Sequence, residues 1–109
     1  MKRACLLACG LLAMAASSLS ANSSAGLSEE QAGKARALFE QYNCAACHAF
    51  ADAGANGGMG PALDSPSSLS ETAIAAQLRD GGDEMPAYGG AMSDEQIGLM
   101  AAYIVQFRK

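Results

Sequence analysis

Apolar residues recur at helical spacing in three stretches of this chain, and each stretch carries its own start signal. Ala32, Ala35, Leu38, Phe39 and Tyr42 fall on one stripe. Ser28 and Gln31 ahead of them have the S-x-x-Q spacing of a capping box, which predicts a helix from Glu29. Glu29 and Glu30 suit the positive end of its dipole. A second, shorter helix is predicted over Glu71–Arg79, with Ala73, Ile74 and Leu78 on its apolar side and Ser68 or Ser70 as cap. Asp80-Gly81-Gly82 ends it, because glycine accepts the left-handed position past a helix. A third helix is predicted over Asp94–Phe107. Ser93 and Gln96 form its capping box, and Met92 with Ile97 its hydrophobic staple. Ile97, Met100, Ala101, Ile104 and Phe107 make its stripe with Tyr103 beside it, and Arg108 and Lys109 sit at its negative end.

Between these helices the chain turns to glycine and proline. Ala49 to Ser67 contains Gly54, Gly57, Gly58, Gly60, Pro61 and Pro66, and reads as a loop too long to be mere connection. Asp83 to Gly90 reads as a second loop. No run of β-branched or aromatic residues suggests a strand, so the expected fold class is all-α. Gly33 lies inside the first helix at a cost of about 1 kcal/mol relative to alanine. It suits a close helix crossing, or is a tolerated surface glycine.

The first 25 residues follow another rule. Met1-Lys2-Arg3 is a short positive start, Ala4–Ala16 is uncharged and mostly apolar, and small polar residues follow through Ala25. That order is a secretory signal peptide, with cleavage expected between residues 20 and 25, so residues 26–109 form one domain. The apolar run is too short for a stable membrane span. A competing reading takes Leu6-Leu7-Ala8-Cys9 as a lipobox with Cys9 lipidated, but the apolar stretch before it is then shorter than usual.

Removing those residues changes the charge. The whole chain of 109 residues carries −4; residues 26–109 keep five Lys/Arg against eleven Asp/Glu, a net −6. A surface of that sign excludes nucleic acid and steers toward basic partners. A chain of 84 residues also struggles to build a sufficient core alone, and a covalently held group would act as its staple.

Cys44-Ala45-Ala46-Cys47-His48 supplies the chemistry for such a group. C-x-x-C-H is the attachment signature of c-type haem: two thiols three apart can add to two vinyl groups, and the next residue brings an imidazole beneath the ring. A structural zinc site wants four ligands. The only other cysteines, Cys5 and Cys9, lie in the leader, and His48 is the only histidine. A redox C-x-x-C wants a βαβ context, and a plain Cys44–Cys47 disulfide leaves His48 unexplained. One covalently attached haem c is therefore the expected cofactor, with Cys44, Cys47 and His48 as its first contacts. Within Gly60-Pro61-Ala62-Leu63, which can wrap the proximal side, Pro61 offers a rigid carbonyl and Leu63 a pocket wall.

The iron then needs a sixth ligand, and methionine is the natural candidate where only one histidine exists. Met100 falls on a packing stripe and Met92 is taken by the staple. Met59 stands eleven positions past His48, in the proximal loop. Met85 stands 37 past it, in a loop stiffened by Pro86, and is favoured over Met59.

Taken in order, helix, C-x-x-C-H, G-P-x-L, short helix, M-P-x-Y and terminal helix, the chain resembles a class I (mitochondrial-type) bacterial cytochrome c over about residues 27–109. It is most similar to the small monohaem periplasmic carriers. The resemblance implies three main helices and loops wrapped around one covalently bound haem. It implies His48 and Met85 as axial ligands and the Pro61 carbonyl as the group that orients His48. It also implies a docking patch at the haem edge around Ala45, Ala46, Ala62, Pro86 and Ala87, and first and last helices crossing through a small residue and aromatics such as Phe39 and Tyr103. Gly33 departs from that pattern; Ala35 or Arg36 stands where the crossing glycine is expected.

The expected function is single-electron transfer between periplasmic redox proteins, by a monomer that is not inserted in a membrane and is not an enzyme. The donor would be a dehydrogenase or membrane complex and the acceptor an oxidase or reductase. No nucleophile–base pair is present, and the carboxylates read as helix caps or a solvated face. Two rival readings are a haem sensor or peroxidatic protein with a labile methionine, and an electron-transfer subunit confined to a dehydrogenase or oxidase complex.

Overall fold

A computed structural model describes residues 26–109, so the expected leader with Cys5 and Cys9 and its expected cleavage site lie outside the described residues. Helix α1 spans Glu29–Gln41. Its capping box forms as the spacing predicts: the Gln31 N–H donates to Ser28 Oγ at 3.1 Å and the Ser28 N–H to Gln31 Oε1 at 2.9 Å. Helix α3, Asp94–Phe107, opens the same way on Ser93 and Gln96. Helix α2, Glu71–Asp80, is capped by Ser70, whose Oγ accepts from the Ala73 N–H at 3.1 Å. Each such cap is worth about 1 kcal/mol.

α3 packs on both other helices. The small residues α1 turns inward are Ala32 and Ala35, both fully buried. Gly33 faces solvent with room for a Cβ, so it is the surface glycine and the crossing uses alanines. Tyr103 is no flank of the α3 stripe but one of the largest fully buried side chains among the described residues. Phe39 meets Phe50 at 5.9 Å between ring centroids, Phe50 meets Tyr103 edge-on at 5.3 Å, and Tyr103 meets Phe107 at 5.3 Å. This row of rings joins α1, the central loop and α3. Met92 and Met100 are buried in the core, as expected. On α2, Ile74 and Leu78 point inward, but Ala73 is exposed and Ala75 takes its place against the core.

The segment read as plain loop contains a small antiparallel ladder. β1 (Ala49–Phe50) pairs with β2 (Ala55–Asn56), Ala49 opposite Asn56 and Phe50 opposite Ala55. A 3-10 turn over Ala51–Ala53 and a left-handed Gly54 (φ +64) close it. Strands of two residues are too short to show a period of two, which is why the sequence pattern misses them. Their role is to carry Phe50 into the core directly after His48.

Candidate functional site

α1 ends at Gln41, and Asn43 turns the chain through a left-handed conformation (φ 58) into a 3-10 turn over Cys44–Ala46. The N–H groups of Cys47 and His48 both donate to the Cys44 carbonyl, at 3.2 and 3.0 Å. Both cysteines are free and half-buried. Cys44 packs against the core, and burial pushes its thiol pKa up.

His48 is half-buried, and its Nδ1 lies 2.6 Å from the Pro61 carbonyl oxygen. A carbonyl only accepts, so the ring proton sits on Nδ1 and Nε2 keeps its lone pair for a metal. Two glycines make this closeness possible. A Cβ on Gly60 would lie 2.8 Å from His48 Cε1, and one on Gly57 would lie 2.6 Å from the His48 backbone nitrogen. Composition marks both as loop glycines; their contact with His48 is visible only in three dimensions. Leu63 is half-buried against the core, while Pro61 is exposed and presents only its carbonyl to the ring.

Met85 is half-buried at the end of a tight turn. Gly82 and Met85 exchange both backbone hydrogen bonds, at 3.1 and 2.9 Å, around Asp83 (φ 53) and Glu84. The turn is fastened to the end of α2 by the Tyr88 N–H on the Leu78 carbonyl (2.8 Å) and the Gly89 N–H on the Arg79 carbonyl (3.1 Å). Gly81 has φ +65, and a Cβ there would sit 2.6 Å from the Met85 carbonyl oxygen. The Gln77 side-chain amide reaches the Met85 sulfur at 3.8 Å, a contact sequence reasoning missed. Met59, in contrast, is 76 % exposed. Ala45, Ala46, Ala62, Pro86 and Ala87 are all exposed.

In the sequence every carboxylate reads as a cap or a solvated group, and Asp52 is neither. Arg36 grips it with Nε to Oδ2 at 2.9 Å and Nη2 to Oδ1 at 3.2 Å, and the Tyr103 hydroxyl donates to the same Oδ2. The Arg36 hydrogen bonds hold the Asp52 carboxyl below the usual carboxylate range. Burial first, then the bond to Asp52, pushes the Tyr103 phenol well up. The Arg36 guanidinium also lies 5.1 Å from the Phe107 ring centroid. Asp52 thus ties the turn that follows His48 to α1 and α3.

Among the described residues no group of three or more His, Cys, Asp or Glu side chains converges to hold a metal ion. Instead there are two free thiols in one turn, an imidazole with one nitrogen committed to a carbonyl, and a thioether on a braced loop. That donor set fits a covalently held haem, and the helical frame around it is that of a small class I monohaem c-type cytochrome. Over residues 30–104 the sequence matches the family described as "Cytochrome C oxidase, cbb3-type, subunit III", and the chain belongs to that family of c-type cytochromes. It is 41 % identical over 69 residues to a cytochrome c6 of Synechococcus elongatus, spanning 58 % of this chain and 76 % of the relative. To a cytochrome c6 of Leptolyngbya boryana it is 39 % identical over 66 residues, spanning 58 % and 78 %. Its structure is similar to that of the c-type cytochrome SorU from Sinorhizobium meliloti, with a TM-score of 0.65 and 30 % identity, covering 73 % of this chain and 93 % of SorU. Membership implies a covalently bound haem c and electron carriage, and the C-x-x-C-H cysteines are both free to hold it.

Proposed function

We propose that residues 26–109 are a periplasmic single-electron carrier in which His48 and Met85 ligate haem iron and Cys44 and Cys47 form its thioethers. Bound there, haem iron exchanges one electron between ferric and ferrous states. In this reading the Pro61 carbonyl sets the plane and basicity of the His48 ring, and Leu63 walls the proximal side. The observation that carries it is the contrast between two methionines: Met85 is half-buried on a braced turn, whereas Met59 is largely in solvent. Held by both His48 and Met85, the iron would have no open place for substrate, which supports a carrier rather than an enzyme. The exposed small residues Ala45, Ala46, Ala62, Pro86 and Ala87 suit brief encounters of low buried area with redox proteins. Export rests on the leader-like residues 1–25, which lie outside the described residues; among the described residues no helix is long and apolar enough to cross a membrane.

The test is the visible spectrum of the haem-loaded protein with its Met85→Ala and Met59→Ala variants. A six-coordinate low-spin haem with the weak methionine–iron charge-transfer band, lost in Met85→Ala alone, is the expected result. An open, high-spin wild type that takes up carbon monoxide or cyanide freely would replace the carrier by the sensing or peroxidatic reading. The family match favours one second reading, an electron-transfer subunit of an oxidase. Recovery of the native protein only in a membrane complex, and never as a free monomer, would establish that one.

A further inference from the structure

The Pro61 carbonyl can orient His48 only if the backbone around Pro61 holds still, and Pro61 itself is exposed. Three contacts fasten that strap along the attachment segment. The Gly60 N–H donates to the Cys47 carbonyl at 2.7 Å, and the Leu63 N–H donates to the Ala49 carbonyl at 2.8 Å. The third is a side chain: Asp64 Oδ2 accepts the Ala51 N–H at 2.9 Å. The other oxygen of Asp64 accepts the Lys109 N–H at 3.0 Å, and the next residue, Ser65, donates its N–H to the Lys109 carbonyl at 2.7 Å. One carboxylate therefore locks the far end of the strap both to the chain just past His48 and to the chain just past α3.

We infer that Asp64 is a positioning residue for His48: it fixes the register of the Gly60–Asp64 strap, and so the hydrogen bond from His48 Nδ1 to Pro61. The inference rests on the reading of His48 as the iron's proximal ligand. A neutral side chain with no acceptor leaves the Ala51 and Lys109 N–H groups without partners and frees the strap at one end. The His48–Pro61 bond then lengthens, the imidazole donates less electron density, and the ferric state loses stability relative to the ferrous. A merely structural anchor would lower thermal stability without touching the imidazole.

The experiment compares haem-loaded wild type, Asp64→Ala and Asp64→Asn with Arg108→Ala, which loosens the same end of the chain by removing the Arg108 bond to the Leu69 carbonyl (3.0 Å). The readouts are hydrogen exchange of the His48 Nδ1–H by proton NMR and the reduction potential. Asp64→Ala is expected to speed that exchange about tenfold and to raise the potential by a twofold to tenfold shift in the redox equilibrium, at most about 59 mV for one electron. Asp64→Asn keeps one acceptor oxygen and is expected to show both changes in smaller size; it carries the test if Asp64→Ala does not load haem. Arg108→Ala is expected to change neither. Asp64 variants that melt earlier but keep wild-type exchange and potential would overturn the inference. A wild type whose His48 ring protons lack the hyperfine shifts of an iron ligand would instead overturn the ligand reading beneath it.

Discussion

His48 and Pro61 are 13 residues apart, yet the ring Nδ1 of one and the carbonyl oxygen of the other stand 2.6 Å apart. That single bond selects the tautomer and leaves Nε2 facing away with its lone pair. Proline at 61 suits the task because its φ is fixed and its missing N–H leaves no donor to satisfy. The space for the approach comes from Gly60.

A methyl group at residue 60 therefore acts directly on the histidine. In Gly60→Ala the new Cβ would sit 2.8 Å from His48 Cε1 and 3.0 Å from Nδ1, closer than real Cβ atoms come. The ring must tilt or the strap must lift, at a cost of about 1–3 kcal/mol as in other overpacked sites. The expected outcome is a lower melting temperature together with a lower yield of haem-loaded protein. Gly58→Ala, where a Cβ meets nothing within 4 Å, is the control and is expected to behave as wild type.

Gln77 provides a handle on the proposed Met85 ligand. Its amide N–H points at the Met85 sulfur from 3.8 Å, and such a donor withdraws electron density from the thioether. With Met85 as ligand, the ferric iron loses more from this than the ferrous iron. Gln77→Leu, which keeps the volume and removes the donor, is expected to lower the reduction potential by tens of millivolts, with about 59 mV corresponding to a tenfold change. Cyclic voltammetry of the adsorbed protein reads the change, and the visible spectrum confirms that ligation is intact.

The features legible in the sequence are those encoded locally. Ser28 with Gln31 and Ser93 with Gln96 are three residues apart, so their capping boxes can be read and both form. The five-residue attachment segment is legible for the same reason. Arg36, Asp52 and Tyr103 are not, because 16 and 51 residues separate Asp52 from its partners and each looks ordinary alone. Tyr103 in particular packs against the Phe50 ring of the central loop, the Phe107 ring of α3 and the Arg36 guanidinium of α1, which no single stripe reveals. Gly33 misleads because a glycine in a helix signals either a close crossing or nothing, and only the packing of Ala32 and Ala35 decides between them.

The brace around Met85 depends on Gly81. At φ +65 an alanine is strained, and its Cβ would lie 2.6 Å from the Met85 carbonyl oxygen and 2.7 Å from the Ala87 nitrogen. Neither atom can move without moving the Met85 loop. Gly81→Ala is expected to destabilise the protein by about 2 kcal/mol or more. If Met85 ligates the iron as proposed, it is also expected to let cyanide bind the ferric protein faster than it binds wild type, because a loosened loop releases the thioether more often. Stopped-flow cyanide binding measures this.

Asp52 and Tyr103 give the stability of the fold a defined pH profile. The folded carboxyl of Asp52 titrates below its unfolded value of about 4, because Arg36 favours the charged form. Its contribution is therefore complete above that value and fades as pH falls below it toward the folded pKa. Tyr103 shifts the other way: its phenol is raised, so its contribution is complete below the unfolded value of about 10 and is lost as pH climbs toward the folded one. Asp52→Asn is expected to cost about 1–3 kcal/mol at neutral pH, the range for removing one partner of a largely buried hydrogen-bonded group. The gap between wild type and Asp52→Asn should close as pH drops below about 4. Tyr103→Phe, which has no phenol to ionise, should lose the part of the alkaline decline that Tyr103 contributes above about pH 10. Urea melts of the haem-loaded proteins across acid, neutral and alkaline buffers test both limbs. A constant wild-type to Asp52→Asn gap through the acid range would show that Asp52 holds α1 and α3 to the attachment loop by shape rather than by charge.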